Sequence, residues 1–264
     1  MTTGTDRAHD LTVMVPALNE QANLEATVDN VLRAGRAAGL RLDVVIVNDG
    51  STDRTPEMAD RLAAEFEPVR VLHHRVNLGL GVSVRELLPL AWGEKFMIVP
   101  GDNDMSYELV LAMFENCHTA DLVLCFYLNR EMRGRVRNAL SAAFGVVYMT
   151  MFDLFVQYIN APCVYPTRVL QGLHLISTRF TIPPEMTIKT LKQGVTFFEV
   201  PGYMQTGARN SSSLNFRSLR EVMGTFVRLV WEINWSRRSA YARRPVRQLI
   251  PLQTRQAAPA ACEC

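Results

Sequence analysis

Residues 42–58, "LDVVIVNDGSTDRTPEM", pass from an apolar, β-branched run into a polar turn and out again into a helical pattern. Apart from Asp43, Leu42 to Val47 offers no polar face, so a strand here must be covered on both sides, as in a parallel sheet between two helix layers. Asn48 to Asp53 supplies turn-forming residues, Thr52 or Asp53 can cap the helix that follows, and Pro56 suits its first turn. Strand, turn and capped helix make one unit of an α/β domain.

The unit recurs through the first half of the chain. "LTVMV" (11–15), "VRVLH" (69–73), "FMIVP" (96–100) and "ADLVLCF" (120–126) read as further strands. Helices are expected over about Gln21 to Ala38, with Leu24, Val28, Val31 and Leu32 on one face, and from Gly81 to about Ala91. Beyond Phe126 the rhythm changes. A basic loop leads to a long Met- and aromatic-rich helix, a Pro-rich loop around Ala161 to Pro166, a helix from Pro184 to Lys192 and a strand "VTFFEV". This predicts residues 1–10 as a disordered tail, one α/β domain over 11–212 with a mainly parallel sheet flanked by helices, and a C-terminal amphipathic helix with a basic tail over 213–264.

Bulk properties narrow the function classes. With 264 residues, 48% hydrophobic and 20% charged, and a mean hydropathy of +0.03, the chain can bury a large core and is not a disordered segment. A net charge of +2 argues against nucleic-acid binding, yet arginines crowd the stretch from Arg209 onward and make it a basic patch for an anionic partner. Five cysteines, an odd number without ligand spacing, predict a reducing compartment. The N-terminal "MTTGTDRAHD" lacks the apolar core of a secretory signal. The greasy run Ala142 to Phe152, broken by Asp153, falls short of the about 20 residues a spanning helix needs. A cytoplasmic protein, peripheral at the membrane face, is expected.

Ligands of open α/β sheets collect at the carboxyl ends of strands, and three of these ends are polar here: "PALNE" after the first strand, "NDGSTD" after the second and "GDND" after the fourth. Each alone could be a capping turn. Gly79 and Gly81 do not complete a dinucleotide fingerprint, because Val84 stands at the third glycine, and no P-loop lysine is present.

In order and spacing, "VMVPALNEQANL" (13–24), "VVIVNDGSTDRT" (44–55), "NLGLGVSV" (77–84) and "GDNDMSYELV" (101–110) resemble the family 2 glycosyltransferases of GT-A fold. The spelling of the last, a version of that family's DxD motif, is similar to the polyprenyl-phosphate (dolichol-phosphate-mannose-like) branch. "ADLVLCFYLNREMRG" and "VQYINAPCVYPTRVL" extend the likeness loosely, to about Ser213.

The resemblance implies a nucleotide-sugar donor and Mg2+ or Mn2+ bridging its diphosphate, with inversion at the anomeric carbon. It implies Asp104 as metal ligand, Asp102 supporting the donor ribose or a metal-bound water, and Ser106 nearby. Pro16, Leu18, Asn19 and Glu20 would line the base and ribose pocket. Asp49 would accept hydrogen bonds from the nucleobase, and Gly50, Ser51 and Asp53 would shape its loop. One or two of Arg130, Arg133, Arg135 and Arg137 would meet phosphate in the bidentate manner of guanidinium groups. Glu185, in "TIPPEMTIK", would be a general base or acceptor-site acid; it can equally be a first-turn helix acid. If the acceptor is itself a phosphate, no base is needed, because its oxygen is already ionised.

The chain departs from the branch in three places. Asn48 replaces the first acid of the family's pair, "APCVY" replaces a Ser-Gly-Phe-Arg core, and "QTGARNSSSLN" stands where a late lysine is usual. The acceptor implied is a polyprenyl phosphate or another membrane-associated molecule. A soluble glycan or natural product, and a non-catalytic sugar-nucleotide-binding or scaffold subunit, are the rival readings. The helix within "LNFRSLREVMGTFVRLVWEINWSRR" (214–238), apolar on one side with arginines around it, can lie in a bilayer interface, dock a partner subunit or cover its own core.

Overall fold

The computed structural model describes residues 9–129, 135–179, 181–203 and 216–249, side chains at 135–137, 140 and 216–221 excepted. The strands are β1 (His9–Ala17), β2 (Leu42–Asp49), β3 (Val69–His74), β4 (Gly93–Ile98), β5 (Leu122–Tyr127), β6 (Cys163–Pro166), β7 (Thr196–Gly202) and β8 (Val246–Arg247). They form one sheet in the order β3-β2-β1-β4-β6-β5-β7-β8. Strands β3, β2, β1 and β4 are parallel, as are β5, β7 and β8, while β6 runs antiparallel between β4 and β5. The chain leaves β1 outward through β2 and β3, then returns to β4 on the other side. The carboxyl ends of β1 and β4 therefore flank a switch point, where open α/β sheets form their ligand crevice.

Both faces of the sheet are covered, as the unbroken apolar runs require. Val13, Val15, Val44 and Ile46 face one core, with Leu24, Val28 and Val31 of α1 (Leu24–Ala38), Ala59 and Leu62 of α2 (Thr55–Glu65), and Leu109 to Phe114 of α4 (Tyr107–Glu115). Their strand neighbours Met14, Val45 and Val47 face the other core, with Val84 and Leu87 of α3 (Leu80–Leu87), Tyr148 and Phe152 of α5 (Arg135–Phe152), and Ile182, Met186 and Ile188 of α7 (Ile182–Leu191). Alternation along each strand feeds both layers. A short α6 (Thr167–Gln171) follows β6, and α8 (Phe216–Trp231) adds Leu229 to the second core.

Several local expectations are corrected. Helix α1 starts at Leu24 rather than Gln21, because the preceding residues form a turn held to the neighbouring loop. Pro89 ends α3, and a 3-10 turn over Leu88–Leu90 replaces its last stretch. The Pro-rich loop contains β6, whose four residues are too few to show a period. The tail expected over 1–10 already enters β1 at His9, and residues 1–8 lie outside the described residues. The C-terminal segment is no appendage: Leu229, Ile233 and Tyr241 sit in the second core, and β8 pairs with β7.

At the amino end of the sheet, Asp43 (2% exposed) joins three strands. It accepts the Thr12 hydroxyl at 2.8 Å and the Arg70 guanidinium at 2.7 and 3.0 Å. Asp43→Ala is expected to destabilise the fold by about 2 to 3 kcal/mol in urea unfolding, below the range for a fully buried pair because Arg70 is partly solvated.

Candidate active site at the strand ends

The loops after β1 and β2 are stitched by reciprocal hydrogen bonds. Consecutive amides of Asn19, Glu20 and Gln21 donate to Ser51 Oγ (3.0 Å), Thr55 Oγ1 (2.9 Å) and Asp53 Oδ2 (3.3 Å). In return, Asn19 Oδ1 accepts the Thr52 amide at 2.8 Å and Gln21 Oε1 accepts the Arg54 amide at 3.1 Å. Asn19 adopts a φ of +58°, a left-handed conformation that asparagine tolerates. Burial pushes the Asp53 carboxyl up, but hydrogen bonds from Thr55 and Gln21 outweigh it and hold its pKa below the ordinary aspartate value. Pro16 and Glu20 stay half-buried and Leu18 is exposed, so this pair of loops presents a wall to solvent.

Asp49, 7% exposed, does different work from its neighbours. Its two oxygens accept the amides of Leu78 and Gly79, each at 2.8 Å, and Oδ1 also meets His74 Nδ1 at 2.8 Å. The other ring nitrogen of His74 contacts Glu86 at 2.9 Å. The loop after β3 is thereby drawn against Gly50, where a Cβ would stand 2.4 Å from the Val76 carbonyl carbon at a φ of +74°. Among the described residues Oδ1 takes two of these contacts and Oδ2 one, so with about two hydrogen bonds accepted per carboxylate oxygen a nucleobase contact of the kind expected of Asp49 would fall on Oδ2. Asn48 accepts the Ser51 amide at 3.1 Å, which turns its Nδ2 toward His73 Nδ1 at 3.0 Å. His73 Nε2–H then donates to Asp60 at 3.0 Å.

The end of β4 lies against the end of β1. The Gly101 amide donates to the Pro16 carbonyl at 3.1 Å, and the Thr27 hydroxyl donates to the Gly101 carbonyl at 3.1 Å. Asn103 takes a φ of +57° and accepts from the Asn30 amide group at 3.0 Å, which fixes the turn between the two acids. Asp102 is exposed and its Oδ1 accepts the Asp104 amide at 3.2 Å; Asp104 is half-buried. Ser106, expected near a metal, is the N-cap of α4, with its hydroxyl accepting the Leu109 amide at 3.3 Å.

Pro16, Leu18, Asn19, Glu20, Asp49, Gly50, Ser51, Asp102 and Asp104 thus share the carboxyl edge around the switch point. Arg130 and Arg133 lie outside the described residues, as do the side chains of Arg135 and Arg137. No group of three or more His, Cys, Asp or Glu among the described residues could cage a metal. Two acids on one solvent-facing turn suit instead a hard cation that keeps waters and takes most of its oxygens from a bound diphosphate.

Glu185 departs from its expected role. It is fully buried, and its oxygens accept the amides of Ile176 (2.9 Å) and Ser177 (2.7 Å) and the Lys189 ammonium (2.8 Å). Lys189, equally buried, also donates to Glu232 at 2.8 Å. A carboxylate so enclosed is no base for an incoming acceptor; it is a brace. The segment it holds is a shelf for the glycine loop: the Gly81 amide donates to the Thr178 carbonyl at 3.0 Å, and Arg85 donates to the Ser177 carbonyl. A Cβ on Gly81 would lie 2.2 Å from the Ser177 oxygen, which explains the glycine. Sequence reasoning missed Lys189 and Glu232. The four-residue spacing of Glu185 and Lys189 was an available signal; Glu232 carried none.

Glu185→Ala leaves a buried ammonium short of one carboxylate and two amides without acceptors. An expected loss of about 3 kcal/mol or more appears in thermal unfolding, with turnover per folded molecule within a few-fold of the parent. A collapse of turnover at unchanged stability would return Glu185 to the reaction.

A family model described as Glycosyl transferase family 2 matches residues 12–169, more than half of the chain. The dolichol-phosphate mannosyltransferase of Pyrococcus furiosus is 32% identical over 108 residues, covering 40% of this chain and 29% of that protein. A dolichyl-phosphate beta-glucosyltransferase of Trichomonas vaginalis is 31% identical over 97 residues, covering 35% and 30%. The match therefore spans less than a third of the length of these relatives. Glucosyl-3-phosphoglycerate synthase from Mycobacterium tuberculosis, solved with Mn2+, UDP-glucose and phosphoglyceric acid, superposes with a TM-score of 0.60 at 17% identity, covering 84% of this chain and 80% of that one. That likeness is one of fold, the GT-A arrangement the sequence resemblance implies. The extent of the family match settles membership: the chain belongs to glycosyl transferase family 2.

Proposed function

We propose that the protein moves a sugar from a nucleotide-sugar donor to a polyprenyl phosphate or another phosphate-bearing, membrane-associated acceptor. The observation that carries this reading is the meeting of three strand-end loops at the switch point, with the Asp102–Asp104 turn beside Pro16. The base and ribose rest against Pro16, Leu18, Asn19 and Glu20, and Asp49 Oδ2 accepts from the base. Asp104, with Asp102 beside it, holds Mg2+ or Mn2+; the bound cation would offset charge on the departing diphosphate. Relatives named for dolichol phosphate and a fold neighbour solved with Mn2+ and UDP-glucose support this assignment.

The enclosure of Glu185 bears on the acceptor. A hydroxyl nucleophile needs a base, whereas a phosphate monoester oxygen is already ionised near neutral pH. Such an oxygen attacks the anomeric carbon as the bond to the diphosphate oxygen breaks, the nucleoside diphosphate leaves, and configuration inverts. A soluble phosphorylated acceptor is the second reading, favoured by the neighbour solved with phosphoglyceric acid.

The test is transfer of labelled sugar from a panel of nucleotide-sugars to detergent-dispersed polyprenyl phosphate or to phosphoglyceric acid. Product on the lipid is expected, lost with chelator and restored by Mn2+. Asp104→Ala is expected to lower turnover by about 100-fold or more without lowering the unfolding midpoint. Equal turnover in chelator would overturn the metal assignment, and product confined to phosphoglyceric acid would overturn the lipid acceptor.

A further inference from the structure

Helix α8 is split lengthwise by its packing. Phe226 lies against Tyr148 and Phe152 of α5, with ring centroids 4.7 and 6.1 Å apart, and Leu229 and Ile233 are 0% and 2% exposed. That side is consumed by the protein's own core. An adjacent row is not: Met223, Val227, Trp231 and Trp235, at four-residue spacing, are 52%, 60%, 62% and 61% exposed. The helix widens into a π-turn over Glu232–Ser236, and the two indoles stack with centroids 5.9 Å apart. Helix α5 exposes Val147 and Met151, and Asn234 Nδ2 reaches the Met151 carbonyl at 3.4 Å, so the two rows end side by side.

Arginines predominate around this surface; Asp153, exposed just beyond Met151, is paired with Arg244 at 3.0 Å. Arg228, Arg237 and Arg238 are exposed, whereas Glu232, the sole acid over 222–249, turns inward to Lys189. We infer that the Met223–Val227–Trp231–Trp235 row, continued by Val147 and Met151, docks on an anionic lipid surface. Apolar side chains enter the acyl boundary, the tryptophans rest at headgroup level, and the arginines meet lipid phosphates. Against a second copy stands the same charge pattern: a two-fold contact through this face would bring the arginines of both copies together. The purpose of such docking, presenting the strand-end crevice to a lipid-linked acceptor, rests on the function proposed above.

The test uses the full chain and sedimentation with vesicles of phosphatidylcholine alone or with about a third phosphatidylglycerol. The parent should sediment with the anionic vesicles, less so at high salt, and stay behind with phosphatidylcholine. Trp231→Ser with Trp235→Ser should weaken partition by about tenfold or more, and Arg237→Glu with Arg238→Glu should remove the preference for anionic lipid. Both variants should keep the parent's unfolding midpoint and its stabilisation by nucleotide-sugar. Equal partition of parent and tryptophan variant, or a parent dimer that the tryptophan changes dissociate, would overturn the assignment. The two proposals fail separately. Vesicle binding through this face with transfer only to a soluble acceptor removes the lipid acceptor, whereas glycosylation of dispersed polyprenyl phosphate by a chain that ignores vesicles removes the docking surface.

Discussion

The Asp49 carboxylate accepts two consecutive backbone amides, Leu78 and Gly79, and a third bond from the His74 ring. Amides that must lie at hydrogen-bond distance from a strand end bring their loop with them. Gly50 is a glycine because no side chain fits between the surfaces so joined, and a Cβ on Gly79, at a φ of +90°, would lie 2.7 Å from the Thr178 carbonyl oxygen. From Gly81 the contact continues to the Ser177 and Thr178 carbonyls, then through the Ile176 and Ser177 amides to Glu185, Lys189 and Glu232. A chain of polar contacts therefore runs from the end of β2 to the end of α8. Its buried part holds two carboxylates and one ammonium, an arrangement that removal of any member unbalances.

The strand-end loops were legible in the sequence for a physical reason. Runs such as Val44 to Val47 leave no freedom about burial on both faces, and the polar residues that interrupt them have to emerge at the sheet's edge. The place of Asp102, Asp104, Asn19 and Ser51 at that edge was legible in this way. Glu185 does stand in the first turn of α7, one of the two readings its sequence neighbours allow, but two prolines and a helix start carry no sign of its burial. What encloses it, the 174–177 segment and Glu232, is distant in sequence and arrives only with the tertiary fold. Strand β6 escaped for a related reason, since four residues pairing with partners on both sides carry no period of their own.

The C-terminal segment shows how one pattern can hold two messages. The amphipathic helix reads correctly as having an apolar side, but the apolar arc is wider than its own core consumes. Phe226, Leu229 and Ile233 go inward, and Met223, Val227 and Trp231 are left over. Sequence cannot divide such an arc, because the division depends on where Tyr148 and Phe152 of another helix come to lie.

The reversed strand β6 has an effect on traffic along the sheet's edge. Running against β4 and β5, it brings its own beginning, Pro162 and Cys163, to the edge where its neighbours end, and the Pro162 carbonyl binds the Cys125 amide there. The approach to β6 also passes the end of β5, where Tyr158 sets its ring edgewise to Tyr127. The stretch leading into β6 thus separates the ends of β1, β2 and β4 from those of β5 and β7.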